Sequence, residues 1–341
     1  MSAPGTTRRQ ALALLGVTLA TGCGPGTPGS QAPAQPVDLA TDLHLDPAVG
    51  TVPAAGLVWL VDTRPREVLA SPPLIPAVAL LLPESTFDAF AARHGGLDLR
   101  EIVDLAVAGY PDTFLAVARG PIDPGRVESA FGRRALPVEG RASSHGVTRL
   151  WGSVAKDREQ IALFGRQAVA FEHGRLGPLR AAVYFAEGKL ARAQPALAAP
   201  PLLEAAQKLG PAPLRAFAPG PFDGAMGRGL GGLLRASTAL AIAAWPAAPS
   251  ADHPSGLRLR VLLMGAWGDD ASAATERLRA AFDLLANDVL GRLSGLDHPL
   301  EGPSVWARDG ALGLDVTLDA MALARGLHDV TTATVTELMA Q

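Results

Sequence analysis

Leu312-Gly313-Leu314-Asp315-Val316-Thr317-Leu318 places an apolar residue at every second position, the period of a strand with one buried face, and Asp319 stands where it would cap a following helix. Upstream, Leu257-Arg258-Leu259-Arg260-Val261 alternates in the same way. Between them Leu278, Phe282, Leu285, Val289 and Leu293 recur at steps of four, three, four and four. That spacing predicts one helix with a single apolar stripe, leaving Arg277, Arg279, Asp283, Asn287 and Asp288 to face water.

Working outward, Leu214 to Ala218 and Thr238 to Trp245 read as strands, and Met226 to Arg235 as a helix between them. Residues 214–341 therefore run β-α-β-β-α-β-β-α. Residues 39–190 give the same order with extra strands. Leu57 to Val61 is a strand; Ser85-Thr86-Phe87-Asp88 is a capping box opening a helix that Gly95-Gly96 stops. A hairpin turns at Tyr110-Pro111-Asp112, and Asp123-Pro124 starts another helix. Strands at 146–151, 160–164 and 168–172 and a helix at 178–187 follow, and an Ala/Pro-rich connector, 191–213, carries a short helix at 202–209. The order resembles a ferredoxin-like split βαβ unit used twice. The expected class is thus α+β: two ferredoxin-like (split βαβ) halves with antiparallel or mixed sheets, behind a disordered N-terminal tether.

Composition narrows the function classes. The 341 residues carry 30 basic and 33 acidic side chains, a net charge of −3, and 48% are apolar. A core is affordable, and a pI near 6.2 with only 5% aromatic residues offers no footprint for nucleic acid.

The N-terminus reads as an address. Arg8-Arg9 precede a short apolar run, Ala11 to Ala20, and then Gly22-Cys23. About ten apolar residues fall short of the 20 or so that span a bilayer. Thr7-Arg8-Arg9-Gln10-Ala11-Leu12 resembles a twin-arginine export signal, with Ala11 where a larger apolar residue is usual. Leu19-Ala20-Thr21-Gly22-Cys23 resembles the lipobox of bacterial lipoproteins, with Ala20 where Leu is usual. These resemblances imply a signal peptide over 1–22, diacylglycerol on Cys23, and a lipidated cysteine with a Pro/Gly-rich tether over 23–38. Cys23 is the sole cysteine of the chain, which fits lipidation better than a disulfide or a multi-cysteine metal site. Gly24 stands where an inner-membrane retention signal usually has Asp, which implies the outer membrane. The phrases Thr113-Phe114-Leu115-Ala116-Val117-Ala118-Arg119-Gly120, Asp123-Pro124 and His145-Gly146-Val147 are similar to those of uncharacterised lipoproteins of myxobacteria and their relatives.

Three motifs are candidates for chemistry. Gly227-Arg228-Gly229-Leu230-Gly231-Gly232 has the spacing of a dinucleotide loop, but Pro219 and Pro221 interrupt any strand leading into it. It reads more simply as a glycine-rich helix close against a neighbour. Ser144-His145 pairs a nucleophile with a base, yet neighbours on a strand point to opposite faces, so a turn is the simpler reading. Asp252-His253-Pro254 and Asp297-His298-Pro299 each lead into an expected strand. In a split βαβ those strands run parallel with one strand between, about 10 Å apart, so the two Asp-His pairs share an edge and have the donors for one divalent ion. Ordinary turn chemistry accounts for the same residues. The five Trp residues are expected to pack in or on sheets.

The first expectation is a lipid-anchored cell-envelope protein with a non-catalytic binding or scaffolding role, no cofactor, and an envelope protein or small ligand as partner. The second is an envelope metal-dependent hydrolase using Asp252, His253, Asp297 and His298.

Overall fold

The computed structural model describes residues 43–154, 157–174, 177–189, 194–248 and 255–339. Their strands are β1 (Trp59–Thr63), β2 (Asp104–Tyr110), β3 (Thr113–Arg119), β4 (Val138–Ser144), β5 (Val147–Val154), β6 (Asp157–Phe164), β7 (Ala168–Gly174), β8 (Leu214–Pro219), β9 (Ser237–Pro246), β10 (Gly256–Gly265), β11 (Glu301–Arg308) and β12 (Ala311–Asp319). All join one sheet in the order β11-β12-β10-β9-β8-β1-β2-β3-β7-β6-β5-β4. Every pairing is antiparallel. The helices are α1 (Pro65–Leu69), α2 (Ile75–Leu81), α3 (Glu84–Arg93), α4 (Pro124–Arg134), α5 (Pro178–Ala186), α6 (Leu202–Leu209), α7 (Gly224–Gly227), α8 (Ala271–Asn287), α9 (Val289–Leu293) and α10 (Ala320–Met339).

The class is α+β, as expected, and the two halves meet at β1 and β8. From that seam β1-β2-β3 run one way and β8-β9-β10 the other. Each series is followed by a helix, α4 or α8, that carries the chain to an edge strand, β4 or β11. The chain then returns inward through β12 in one half and through β5, β6 and β7 in the other. Strands β10 and β11 thus run parallel with β12 between them, which is the expected split unit. In each half the earlier helical connection joins neighbouring antiparallel strands, so the split unit occurs once per half.

Strand alternation sends side chains to two covered faces. On one, Leu179, Ala182 and Ala186 of α5 and Leu202, Ala205 and Leu209 of α6 bury Leu60, Leu115, Ala241, Ala243 and Leu262. The small residues of β9 let α6 lie close. On the other, Val127 and Phe131 of α4 pack on Ile161, Leu163 and Val169, and Leu278 and Phe282 of α8 pack on Leu263, Leu312, Leu314 and Val316. Each fully buried aliphatic or aromatic side chain contributes about 1.5–3 kcal/mol. Across the halves, Leu74 and Ala77, at and within α2, meet Ala320 and Ala324 of α10. Helix α5 has no cap of its own; buried Glu172 of β7 accepts from the Leu179 N–H at 2.6 Å and the Gly177 N–H at 3.3 Å.

Several expected elements take another form. The helix expected over 226–235 is the single turn α7 and a 3-10 segment, Leu230–Ala236, broken at Gly231 and Gly232, whose φ values of +66° and +85° favour glycine. Helix α3 begins at Glu84 behind Pro83 without a side-chain cap, so the box at Ser85 does not form. Strand β4 carries no apolar alternation because it is an edge strand, exposed along most of its length. The apolar stripe is cut at Asp288, whose backbone is extended (φ −75°, ψ 173°) and whose side chain caps α9 by accepting from the Gly291 N–H at 2.6 Å.

Candidate functional site

Cys23, Asp252 and His253 lie outside the described residues. The starts of β10 and β11 do share one edge of the sheet, since Gly256 pairs with Asp319 and Glu301 with Thr317. His298 Nε2 stands 3.5 Å from Asp297 Oδ2, with its side chain 90% exposed. Among the described residues no group of three or more His, Cys, Asp or Glu side chains could hold a metal ion.

Ser144 Oγ lies 2.5 Å from His145 Nδ1, because His145 occupies a left-handed hairpin turn (φ 49°) and not a strand position. Glu187 approaches that same nitrogen at 3.9 Å. A relay needs the base to use one ring nitrogen toward the nucleophile and the other toward its orienting acid. Here both contacts converge on one nitrogen of an exposed ring, which is turn chemistry. The Gly227 to Gly232 segment leads through its 3-10 turn into β9, with no long helix N-terminus to meet a pyrophosphate.

The break at Asp288 creates a surface that periodicity alone places in the core. Leu278 and Phe282 are buried, while Leu284 and Val289 are each 75% exposed and Leu285, Leu290 and Leu293 are also exposed. Gly326 of α10 packs so closely that a Cβ there would meet the Leu293 carbonyl at 2.6 Å, and exposed Leu327 adjoins it. The result is a ridge of five large aliphatic side chains over residues 284–293.

A second surface lies on the sheet itself. Helix α8 covers the Leu312, Leu314 and Val316 side of β12; on the opposite side Ala311 and the partly buried Trp306 belong to the cluster that α6 packs against. That side carries Arg258, Arg260, Asp315, Trp306 and Arg308, with Trp245 beside them. Arg260 holds Asp315 in a two-pronged pair, Nε to Oδ1 at 2.6 Å and Nη2 to Oδ2 at 3.0 Å, and the Trp306 indole donates to Oδ2 at 3.2 Å. Burial pushes the Asp315 carboxyl pKa up, but hydrogen bonds from Arg260 and Trp306 and the charges of Arg260 and Arg258 outweigh this and hold it below the ordinary range. The Arg260 guanidinium lies 6.0 Å from the Trp245 ring centre and 5.9 Å from that of Trp306, and the Arg308 guanidinium stacks on Trp306 at 4.3 Å. On its other side Trp306 lies flat over its cross-strand partner Gly313, where any Cβ would overlap the indole. Trp59 over Gly109 and Trp151 over Gly140 repeat this device. Sequence reading placed the Trp residues on sheets but missed this cluster; its signal was the arginines at alternate positions, 258 and 260.

No protein-family model and no curated protein matches the sequence. Among solved structures, TP0453 in crystal form I is 12% identical with a TM-score of 0.46, covering 82% of this chain and 96% of that one. TP0453 in crystal form IV is 10% identical with a TM-score of 0.46, covering 81% of this chain and 94% of that one.

Proposed function

We propose that the protein is a lipid-anchored component of the bacterial cell envelope, held at the outer membrane through Cys23, with a binding or scaffolding role and no catalysis of its own. The exposed ridge of Leu284, Leu285, Val289, Leu290 and Leu293 carries the reading. Five large aliphatic side chains exposed within ten residues mark an interaction face. Cys23 lies 20 residues before Leu43, and covalent geometry limits that span to at most about 70 Å. An acylated Cys23 therefore keeps the body near a bilayer, and a leucine ridge is the surface that a bilayer would take up. Labelling cells with a radioactive fatty acid tests the anchor: wild type takes up label and fractionates with the outer membrane, and Cys23→Ser does neither. A wild type that stays unlabelled, or fractionates as a soluble protein, overturns the reading.

The parallel course of β10 and β11, whose first residues share one edge of the sheet, supports a second reading as a metal-dependent hydrolase. Protein purified without chelator would then hold about one equivalent of zinc or a similar ion, lost in His253→Ala and His298→Ala. Metal-free wild type excludes it.

A further inference from the structure

We propose that the sheet face between α4 and α8 is a lipid site, its apolar floor lying beneath α2 and α3 and taking a long acyl chain. This inference deepens the binding role proposed above and rests on that reading for the source of the lipid. Ala116, Val107, Val61, Ala216, Ile242 and Val261 are successive cross-strand partners over β3, β2, β1, β8, β9 and β10. All six side chains are half-buried. Their chain neighbours on the opposite face, Leu115, Ala108, Leu60, Phe217, Ala241 and Leu262, are packed by α5 and α6 and are each at most 2% exposed. On the face of the row itself, α4 packs beyond one end, on Ile161 beside Phe171, and α8 beyond the other, on Leu314. Among the described residues Val61, Val107, Ala116, Ala216 and Ile242 join no core cluster. Over these six strands the face carries no ionisable side chain, since Asp62, Asp104, Arg119, Arg215 and Arg260 all stand at positions of the other face.

A strap crosses above the row. Helix α2 is fixed at β10, where Leu257 packs against the cluster of Leu74 and Ala77. Helix α3 is fixed at β7, where His94, its C-cap, meets Phe171 edge-on at 5.4 Å. Strands β9, β8, β1, β2 and β3 lie between those two anchor points, and the helices bend by 60° at Leu82-Pro83. A helix seated directly on the floor would bury it as α5 and α6 bury the other face. Half-burial of the whole row therefore marks an apolar space beneath the arch.

The chemistry of that space selects its occupant. Sites for polar molecules place a few polar groups to fix orientation, and this row has none. A peptide strand or loop would bring backbone N–H and C=O groups to a floor that offers them no partner. A hydrocarbon chain carries no such groups. At about 4.8 Å per strand the row is about 24 Å long. The acyl chains of one leaflet span about 15 Å, half of a hydrocarbon core about 30 Å thick. One long acyl chain thus lies within the length of the row.

The test is fluorescence titration of the full chain carrying Cys23→Ser, free of detergent, with cis-parinaric acid. This parent should bind the probe saturably. Ala116→Phe/Ala216→Phe, which fills the row, should bind about tenfold more weakly, whereas Ala89→Phe, the same enlargement at an exposed position of α3, should bind as the parent does. Absence of saturable binding overturns the proposal, as does an affinity unchanged in the double variant or equally reduced in Ala89→Phe. Photolabelling of the parent with a diazirine-bearing palmitate decides the matter should the double variant not fold: label should map to β1, β2, β8 and β9, and label confined elsewhere, such as the ridge at 284–293, overturns it. Neither measurement involves lipid on Cys23, so failure here is separate from failure of the anchor.

Discussion

Arg215 of β8 stands directly opposite Asp62 of β1, with Nη2 2.5 Å and Nε 3.0 Å from Asp62 Oδ2, on the line where the two halves of the sheet join. The pairing of these strands is only four residues long, from Leu60↔Phe217 to Thr63↔Leu214. Arg215 is further held by its own neighbours, 3.4 Å from the Gly210 carbonyl and 5.7 Å from the Phe217 ring centre. Two other in-register pairs repeat the device, Arg119 with Asp104 across β2 and β3, and Arg260 with Asp315 across β10 and β12. Partly buried charges are costly when unpaired, so such pairs set register more than they add net stability.

Asp62→Ala should therefore destabilise the protein by about 2 kcal/mol, since it strands a guanidinium that is only 18% exposed. Asp62→Leu/Arg215→Leu should recover most of the loss. Urea denaturation of the three proteins checks this, and a double variant as unstable as the single one contradicts it.

Gly313→Ala should cost about 2 kcal/mol, because a Cβ there overlaps the Trp306 indole and the ring has to leave its stacked position. Displacing the indole also frees Arg308. Thermal melting and tryptophan fluorescence should both shift, whereas Gly132→Ala, in α4 with open space around it, should leave both nearly unchanged or raise the melting temperature.

His94 predicts an acid sensitivity. Its ring stacks on Phe90 at 4.4 Å and meets Phe171 edge-on at 5.4 Å, and among the described residues its buried Nδ1 has no hydrogen-bond partner. Burial, with smaller contributions from the charges of Arg134 and Arg93, lowers its pKa from 6.5 to about 3. The folded state thus keeps the ring neutral while the unfolded chain takes up a proton below pH 6.5. Stability from this residue is constant above about pH 7 and falls as pH drops from 6.5 toward 3, by at most about 1.4 kcal/mol per unit. His94→Phe should lose less stability between pH 7 and pH 4 than wild type in parallel urea titrations.

The ridge predicts a separation of binding from folding. In protein carrying Cys23→Ser, which has no lipid anchor, Val289→Glu/Leu290→Glu should abolish sedimentation with phospholipid vesicles and change stability by less than about 0.5 kcal/mol, because both side chains already face water. Leu278→Ala, in the same helical run but buried, should cost about 3 kcal/mol and leave vesicle binding intact. Vesicle binding that survives the double glutamate variant rules the ridge out as the membrane contact.

The two clearest periodic signals fared differently. Leu312 to Leu318 alternates because β12 is paired on both sides and packed under α8, so its pattern and its environment agree. Leu278 to Leu293 has an equally regular period, yet only its first two members are buried. Asp288 was legible as a polar residue on the water face and not as a helix terminus, since capping depends on the path of the chain after it. Strand β4 was illegible because an edge strand with two solvated faces needs no apolar repeat. The Arg258, Arg260 and Arg308 cluster was hidden because its members come from strands joined only by long-range pairing.

Local periodicity, capping and turn residues were enough to read most of the strands, the longest helix up to Asp288, the α+β class and the recurrence of a similar order in two halves. Tertiary structure alone decided that both halves share one sheet across Asp62 and Arg215, which leucines of the stripe remain in water, and which arginines gather on one face. The physical reason is that pairing across a seam, and the side of a sheet that a helix covers, depend on residues far apart in the chain, whose meeting leaves no local pattern to read.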